Sequence, residues 1–282
     1  MTTITSKTVI LTGASRGLGV HIAHALAKEK ATIIGISRSK SGLNKTRDEV
    51  KDIGGKFIGF TFDLANVENL SVLVQRIQNT VTPVDILINN TGMEIYQSFA
   101  NSSLKDLQSI LTTNLIAAME LTRLLLPSML EQGNGHIVNI SSLAGKKGVP
   151  YNSIYSASKA GLLMWTDSLR QELVHSGIKF SAICPGYISK TGMTVDSGLP
   201  IPMLAGKSKP EEVAKAVIRA IQKNKAEVII NESLSTEFLT KVMFGIGQVA
   251  PQFVDTVYRW IAVTKLNQMR AENFANNQYK RA

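Results

Sequence analysis

Short runs rich in β-branched and apolar residues recur at 8–11, 31–36, 57–62, 84–88, 136–140, 178–183 and 228–230, and each of the first six is followed by a stretch long enough for a helix. This rhythm constrains the fold more than any other feature of the chain. Strands separated by helices cannot pair as tight hairpins. Each connection has to cross over, which builds a parallel sheet covered on both faces. Residues 86–88, Ile-Leu-Ile, are apolar without alternation, as a strand buried on both sides requires. The expected fold is α/β: a single doubly wound parallel sheet, Rossmann-like, with helices on both faces and a helical C-terminal extension.

No Pro/Gly/Ser-rich tract, charge block or internal repeat interrupts this pattern, so 1–282 is expected to form one domain. Within it, 8–231 forms the core and 236–276 the extension. Ser208-Lys209-Pro210-Glu211 reads as a capping box ahead of Val213, Val217 and Ile221, which share one helix face. Pro127, inside the apolar stretch 115–130, predicts a kink or a break. In the extension Phe238, Val242 and Ile246 lie four apart. Beyond Pro251, the residues Phe253, Val257, Trp260 and Ile261 make a second apolar face, with Arg259, Lys265 and Arg270 among the polar positions. Two readings stay open there: the helices cover the substrate pocket or a neighbouring subunit, or they lie on an anionic membrane as a peripheral contact.

Composition narrows the function classes. The net charge is +10, but lysines and arginines are scattered and not interleaved with aromatics, so no nucleic-acid partner is expected. An anionic ligand suits the excess equally well. Cys184 is the single cysteine, which excludes an intramolecular disulfide and gives no metal site by itself. No stretch reads as apolar enough to span a bilayer, and the first strand starts after seven residues, too soon for a secretory signal; a cytoplasmic protein is expected.

The first strand runs directly into Thr12-Gly13-Ala14-Ser15-Arg16-Gly17-Leu18-Gly19, followed by the helical pattern Leu18, Ile22, Leu26. Glycines at such a strand-to-helix turn let the backbone approach a pyrophosphate, and the helix N-terminus offers unpaired N–H groups and positive dipole. After the second strand, where an NAD site presents an acid to the ribose hydroxyl, this chain has Ser37-Arg38-Ser39. Arg38 suits a 2′-phosphate and Ser37 adds a hydrogen bond, so the expected cofactor is NADP(H). Arg16 is a second cation for the same phosphate.

Tyr155 and Lys159 are four apart and share a helix face, with the ammonium near the phenol. That charge, with an oxidised nicotinamide, is expected to pull the phenol below its usual pKa near 10 and make Tyr155 the catalytic acid. Ser142 ends the strand at 136–140, thirteen positions before Tyr155, with Ser141 as its rival.

Taken together, Gly-x-x-x-Gly-x-Gly, Asp63, Asn89-Asn90-Thr91-Gly92, Asn114, Ser142, Tyr155-x-x-x-Lys159 and Pro185-Gly186 resemble, in order and spacing, the motifs of the short-chain dehydrogenase/reductase family. The resemblance implies a catalytic set of Asn114, Ser142, Tyr155 and Lys159. Ser142 would hold the substrate oxygen, and Asn114 would position a water and Lys159 in a proton relay. It implies cofactor contacts from Gly13, Ser15, Arg16, Gly17, Leu18, Gly19, Ser37, Arg38, Asp63, Leu64, Asn90, Gly92, Tyr155, Lys159, Pro185, Gly186, Ile188 and Thr191. Asp63 would meet the adenine, although it is equally suited to capping the next turn, as Asn90 is to stabilising a bend. The family places a threonine five positions past the proline; here Lys190 stands there, and Ser189 and Thr191 flank it.

The apolar residues Met193, Val195, Leu199, Ile201, Met203 and Leu204 point to a lid over an apolar carbonyl or alcohol substrate: a fatty acyl chain, a retinoid or a steroid-like ring. Including Glu131-Gln132-Gly133-Asn134-Gly135 and the extension, the chain is similar to ketoacyl reductases associated with cyanobacterial heterocysts, which implies a 3-ketoacyl thioester. Reductases served by carrier proteins tend to carry two arginines near the ends of the fifth and sixth helices; here those stretches supply only Arg170. A regulatory or signalling protein acting through a partner or peptide is the alternative function class. Leu121, Leu125, Leu163 and Trp165, on the helices at 114–130 and 155–174, read as spare apolar surface; the family pairs these helices, so a homodimer or homotetramer is expected.

Overall fold

The computed structural model describes residues 3–196, 198–201 and 206–279. Met203 and Leu204 of the expected lid lie outside the described residues. All seven apolar runs are strands of one sheet: β1 (Thr8–Thr12), β2 (Thr32–Ser37), β3 (Lys56–Thr61), β4 (Ile86–Asn89), β5 (Gly135–Ile140), β6 (Ile178–Pro185) and β9 (Glu227–Ile230). They pair in parallel in the order β3-β2-β1-β4-β5-β6-β9. A two-residue pair, β7 (Tyr187–Ile188) with β8 (Lys207–Ser208), stands apart. The helices are α1 (Leu18–Lys28), α2 (Lys40–Asp52), α3 (Leu70–Gln78), α4 (Leu104–Leu111), α5 (Ala117–Glu131), α6 (Ser153–Glu172), α7 (Met193–Asp196), α8 (Pro210–Lys223), α9 (Leu234–Val249), α10 (Pro251–Trp260) and α11 (Val263–Tyr279).

The uninterrupted apolarity of the strands is explained by two cores. Val9, Leu11, Ile86, Ile88, Val138 and Ile140 point to one face, where they meet Ile22 and Leu26 of α1 and Val213, Val217 and Ile221 of α8. Ile10, Leu87, Ile137 and Phe180 point to the other, against Leu73 of α3 and Leu121 and Leu125 of α5. Successive side chains of a strand alternate between faces, so a strand with a core on each side has no polar position to spare. The chain reverses direction along the sheet between β1 and β4, and a crevice opens at their C-terminal ends, as doubly wound sheets require.

Several sequence expectations need correction. Ser208 does not cap α8: Lys209 is the N-cap residue and makes no side-chain cap bond, while Pro210 occupies the first turn. The buried Ser208 hydroxyl instead donates to Ile230 O (2.9 Å) and accepts from Gly186 N–H (3.0 Å), so tertiary packing took over the motif. Helix α5 runs unbroken through Pro127. The irregularity lies earlier, in a π-helical turn at Thr112–Ile116 that joins α4 to α5. The resulting helix, Leu104–Glu131, is long and apolar enough by composition to cross a membrane, contrary to the reading of the sequence. Its Leu121, Leu125 and Met129 are buried against the sheet, which accounts for the apolarity. Leu121, Leu125 and Leu163 are core residues of the fold, not spare surface; the large apolar residues exposed over 104–131 and 153–174 are Leu104, Ile116, Leu130, Met164 and Val174.

Cys184 is fully buried. His136 of β5 is also buried, its Nε2 2.9 Å from Ser181 Oγ. Burial, with the charges of Lys179 and Arg170, drives its pKa from 6.5 down to about 3. Below pH 6.5 the unfolded chain takes up a proton that the folded chain refuses until near pH 3. Stability is therefore present above pH 6.5 and is lost as pH falls. Between pH 8 and pH 5 the expected loss is about 2 kcal/mol. Thermal melts across that range should show the decline, and His136→Gln, neutral throughout, should flatten it.

Candidate active site

The turn after β1 owes its shape to three glycines. Gly13 and Gly17 adopt φ of 68° and 59°, a region that L side chains rarely enter. Gly19 is required by crowding: a Cβ there would stand 2.0 Å from Gly13 O. No side chain caps α1 at Gly17, so the helix N-terminus remains open to an anion. Asn90 pins the turn, donating from Nδ2 to Thr12 O (2.9 Å) and from its backbone N–H to Thr12 Oγ1 (2.9 Å). Its bend-stabilising role is therefore present, and Asn90 also lines the cleft.

That cleft, about 440 Å³, is lined by every residue expected to hold the cofactor. At the far end from β4, Ser15 Oγ and Ser37 Oγ are 2.6 Å apart. The exposed Arg38 guanidinium stands 3.9 Å from Asp63, and Arg16 pairs at 3.0 Å with Asp196 of α7. Asp63 also accepts from Ala65 N–H (3.0 Å), capping its own turn. Two arginines, two serines and an uncapped helix N-terminus are the donor set that a phosphorylated dinucleotide needs, so the residues present fit NADP(H).

Ser142, Tyr155 and Lys159 meet at the other end of the cleft. Ser142 follows β5 and caps the short turn Leu143–Gly145, accepting from Ala144 N–H (3.1 Å). Its hydroxyl also hydrogen-bonds Tyr155. Ser141 is turned away, donating to Lys159 O (2.9 Å). On α6, Lys159 Nζ lies 5.6 Å from the Tyr155 ring centre and donates to Ile140 O (2.8 Å). Burial pulls the ammonium pKa down to about 8, with Glu94 opposing the shift. The protein's own groups hold the Tyr155 phenol above its usual value. Burial raises it first and the nearby Glu94 charge second, while the Ser142 bond offsets only part. Phenolate is costly in this setting, and Tyr155 stands as a neutral proton donor.

Asn114 sits in the π-helical turn, 1% exposed. Its Oδ1 accepts from Met93 N–H (2.8 Å), and its Nδ2 donates to Met93 O (2.9 Å) and Ser158 Oγ (3.0 Å). It thereby ties the chain leaving β4 to α6. A widened helical turn of this kind often marks a functional position. Thr191 lines the cleft, whereas Ser189 donates to Ser208 O (3.2 Å) and takes part in the β7–β8 pairing.

The sequence reading missed the rest of the wall. Glu94, Tyr96, Asn152, Tyr187, Tyr258 and Val263 also line the cleft, so its substrate end is more polar than expected. Arg270, placed among polar positions of the extension, is 2% exposed. It stacks on the rings of Tyr96 (5.6 Å) and Tyr187 (5.2 Å) and donates to Asn267 Oδ1 (2.6 Å) and Pro200 O (2.8 Å). An acid directly after Asn-Asn-Thr-Gly-Met was the one local signal that could have pointed to this end.

A phosphate-binding turn at one end of a cleft and a serine–tyrosine–lysine cluster at the other define a nicotinamide-dependent oxidoreductase. The profile of the short chain dehydrogenase family matches residues 7–199, and the chain belongs to that family. It is 60% identical to the ketoacyl reductase HetN of Nostoc sp. (strain PCC 7120) over 279 residues, 99% of this chain and 97% of that protein. Among solved structures it is similar to an actinorhodin polyketide ketoreductase variant with NADPH, with TM-score 0.74, 30% identity, and coverage of 82% of this chain and 98% of that one. A metagenomic short-chain oxidoreductase in complex with NADP gives TM-score 0.71 and 26% identity, covering 82% of this chain and 100% of that one.

Proposed function

We propose that this protein is an NADP(H)-dependent reductase that converts a carbonyl to an alcohol on a substrate of the 3-ketoacyl thioester type. The observation that carries this reading is the convergence of Ser142, Tyr155 and Lys159 at one end of a cleft whose other end presents Arg16 and Arg38. Bound NADPH supplies a hydride for the carbonyl carbon. As negative charge develops on the oxygen, Tyr155 Oη delivers its proton to it and Ser142 Oγ hydrogen-bonds it. Lys159 holds its ammonium 5.6 Å from the Tyr155 ring centre and would bind the nicotinamide ribose. Asn114 braces the turn that bears on both, as the fourth member of the set. The same residues would serve alcohol oxidation equally well; the fit of the cleft to NADP(H) is what favours reduction.

Thr191 is the residue we assign to the nicotinamide amide, since Ser189 is engaged with Ser208. Residues 8–231 form the nucleotide-binding and catalytic core and 236–276 the extension. The Arg170 guanidinium is hydrogen-bonded to Phe180 O, which leaves it poorly placed to dock a carrier protein and favours a small thioester. Assaying NADPH consumption with ketoacyl thioesters, aldehydes and ring ketones tests the reading; the thioesters should be turned over fastest.

For its partners, we infer a cytoplasmic homo-oligomer with a peripheral membrane contact. Ile116, Leu130 and Met164 support the first, being exposed on the helices that the family pairs. The inner side of the extension walls the cleft through Tyr258 and Val263, while Phe238, Leu239, Val242, Val249, Phe253 and Trp260 face outward beside Lys241 and Arg259. An apolar face flanked by cations suits an anionic bilayer. The full-length protein should float with anionic vesicles, less so in high salt, and truncation after Ser235 should abolish flotation and weaken substrate binding. Failure to float at low salt, with loss of oligomeric state on truncation, would make the outward face a subunit contact.

A further inference from the structure

Glu94 places a carboxylate among the aromatic residues at the substrate end of the cleft. Burying a carboxylate is costly unless hydrogen bonds and charge offset it, so its place needs an explanation. Part of the answer is local. Asn152 Nδ2 donates to Glu94 Oε2 (3.0 Å), the Tyr96 hydroxyl bonds it, and the Arg270 guanidinium acts on it from α11. Those contacts do not close the network. Asn152, which lines the same cleft and is 3% exposed, directs its Nδ2 at Glu94 and leaves its Oδ1 buried without a partner among the described residues. A carboxylate offers about four acceptor positions, so Glu94 retains capacity as well. Asn152 Oδ1 is thus an acceptor to which no described wall donor is matched, and Glu94 adds acceptor capacity beside it, an arrangement that a donor on the ligand would complete.

We propose that Glu94, with Asn152, is the specificity-determining acceptor of the pocket, selecting a carbonyl substrate that carries a hydrogen-bond donor, hydroxyl or amide N–H, close to the reacting carbon. The inference rests on the reductase reading and deepens it. A thioester whose arm bears amide N–H groups fits this requirement, as does a hydroxyketone. Burial raises the Glu94 carboxyl pKa while Asn152, Arg270 and Tyr96 lower it, and in its ionised form Glu94 repels a substrate with a carboxylate at that place. Glu94, Tyr155 and Lys159 line one cleft, which puts the selecting group within reach of a substrate whose carbonyl sits at Tyr155.

The test compares matched substrates on the wild type, Glu94→Gln and Glu94→Met, all with NADPH. The β-keto amide, β-keto ester and β-keto acid of one chain length form the first set; a hydroxyketone and a plain ketone of equal length form the second. Sites built around a hydrogen bond discriminate strongly against analogues that lack it. On that basis the wild type should prefer the amide to the ester by at least ~10-fold in kcat/KM, with the acid poorest. Glu94→Gln, which keeps one acceptor oxygen, should retain part of the preference, and Glu94→Met should bring the ratio to about 1 and raise the acid at least ~10-fold. A preference confined to the hydroxyketone identifies a hydroxyl as the donor; one confined to the amide identifies an N–H. Equal ratios in all three proteins, or a wild type that favours the acid, would overturn the proposal. Should Glu94→Met fail to melt cooperatively, the wild-type ranking and Glu94→Gln decide. Calorimetric binding of the amide and ester to the wild-type protein saturated with NADP is read in parallel. If no carbonyl is reduced yet the amide binds more tightly and Glu94→Gln narrows the difference, the reductase reading fails while the Glu94 assignment stands.

Discussion

Tyr155→Phe should lower turnover by at least ~100-fold while leaving NADPH affinity within about threefold, because a positioned proton donor commonly contributes 10²–10⁴. In barrier terms this is about 3–5 kcal/mol. Phenylalanine fills the same space on α6, so the cleft keeps its shape and the loss isolates the hydroxyl. The substitution removes a proton donor that burial and the Glu94 charge hold in its neutral form, together with its hydrogen bond to Ser142. Cofactor affinity should survive because the turn at 13–19 and Arg38, to which we assign the phosphates, lie at the opposite end of the cleft. Steady-state rates alongside NADPH titration by fluorescence check both parts. Near-normal turnover in the variant would mean that another group protonates the alkoxide.

Arg38→Asp should weaken NADPH binding by about 10²–10³ and narrow or invert its preference over NADH, since a charge-assisted bond to the 2′-phosphate becomes a repulsion. An acid at this position also accepts hydrogen bonds from the ribose hydroxyl of NADH. The effect has a ceiling. Arg38 is 80% exposed in its side chain, so water and salt screen it, and Arg16 remains on the same side of the cleft. Titrating both cofactors at low and moderate ionic strength measures the ratio. An unchanged NADPH/NADH ratio would place the 2′-phosphate elsewhere.

The sheet was legible from sequence because both of its faces are buried: runs such as Val9–Leu11 and Ile86–Ile88 have no polar position, and this survives any error in where helices end. The glycine turn was legible because backbone conformation at Gly13 and Gly17 and crowding at Gly19 leave few alternatives. Tyr155 and Lys159 are placed on one face by helical period alone. The substrate wall was not legible. Glu94, Asn152, Tyr187, Tyr258 and Arg270 come from five separate segments, and only tertiary packing brings them to one place. The same limit explains Ser208, whose local motif fits a cap but whose hydroxyl is claimed by β9 and the chain after β6. It also explains Leu121 and Leu125, which looked like spare surface because a one-face stripe was assumed for a helix wedged between the sheet and its neighbours.

Transfer of deuterium from NADPH carrying deuterium at both C4 positions of the nicotinamide tests the central claim most directly. With a 3-ketoacyl thioester as acceptor, the account expects one deuterium on the carbinol carbon of the product for each NADPH consumed, with the hydroxyl hydrogen drawn from solvent. Tyr155→Phe should show the same labelling pattern in its residual product. NADPH oxidised without label reaching the substrate carbon, or product formed at full rate with NADPH omitted, would contradict the account.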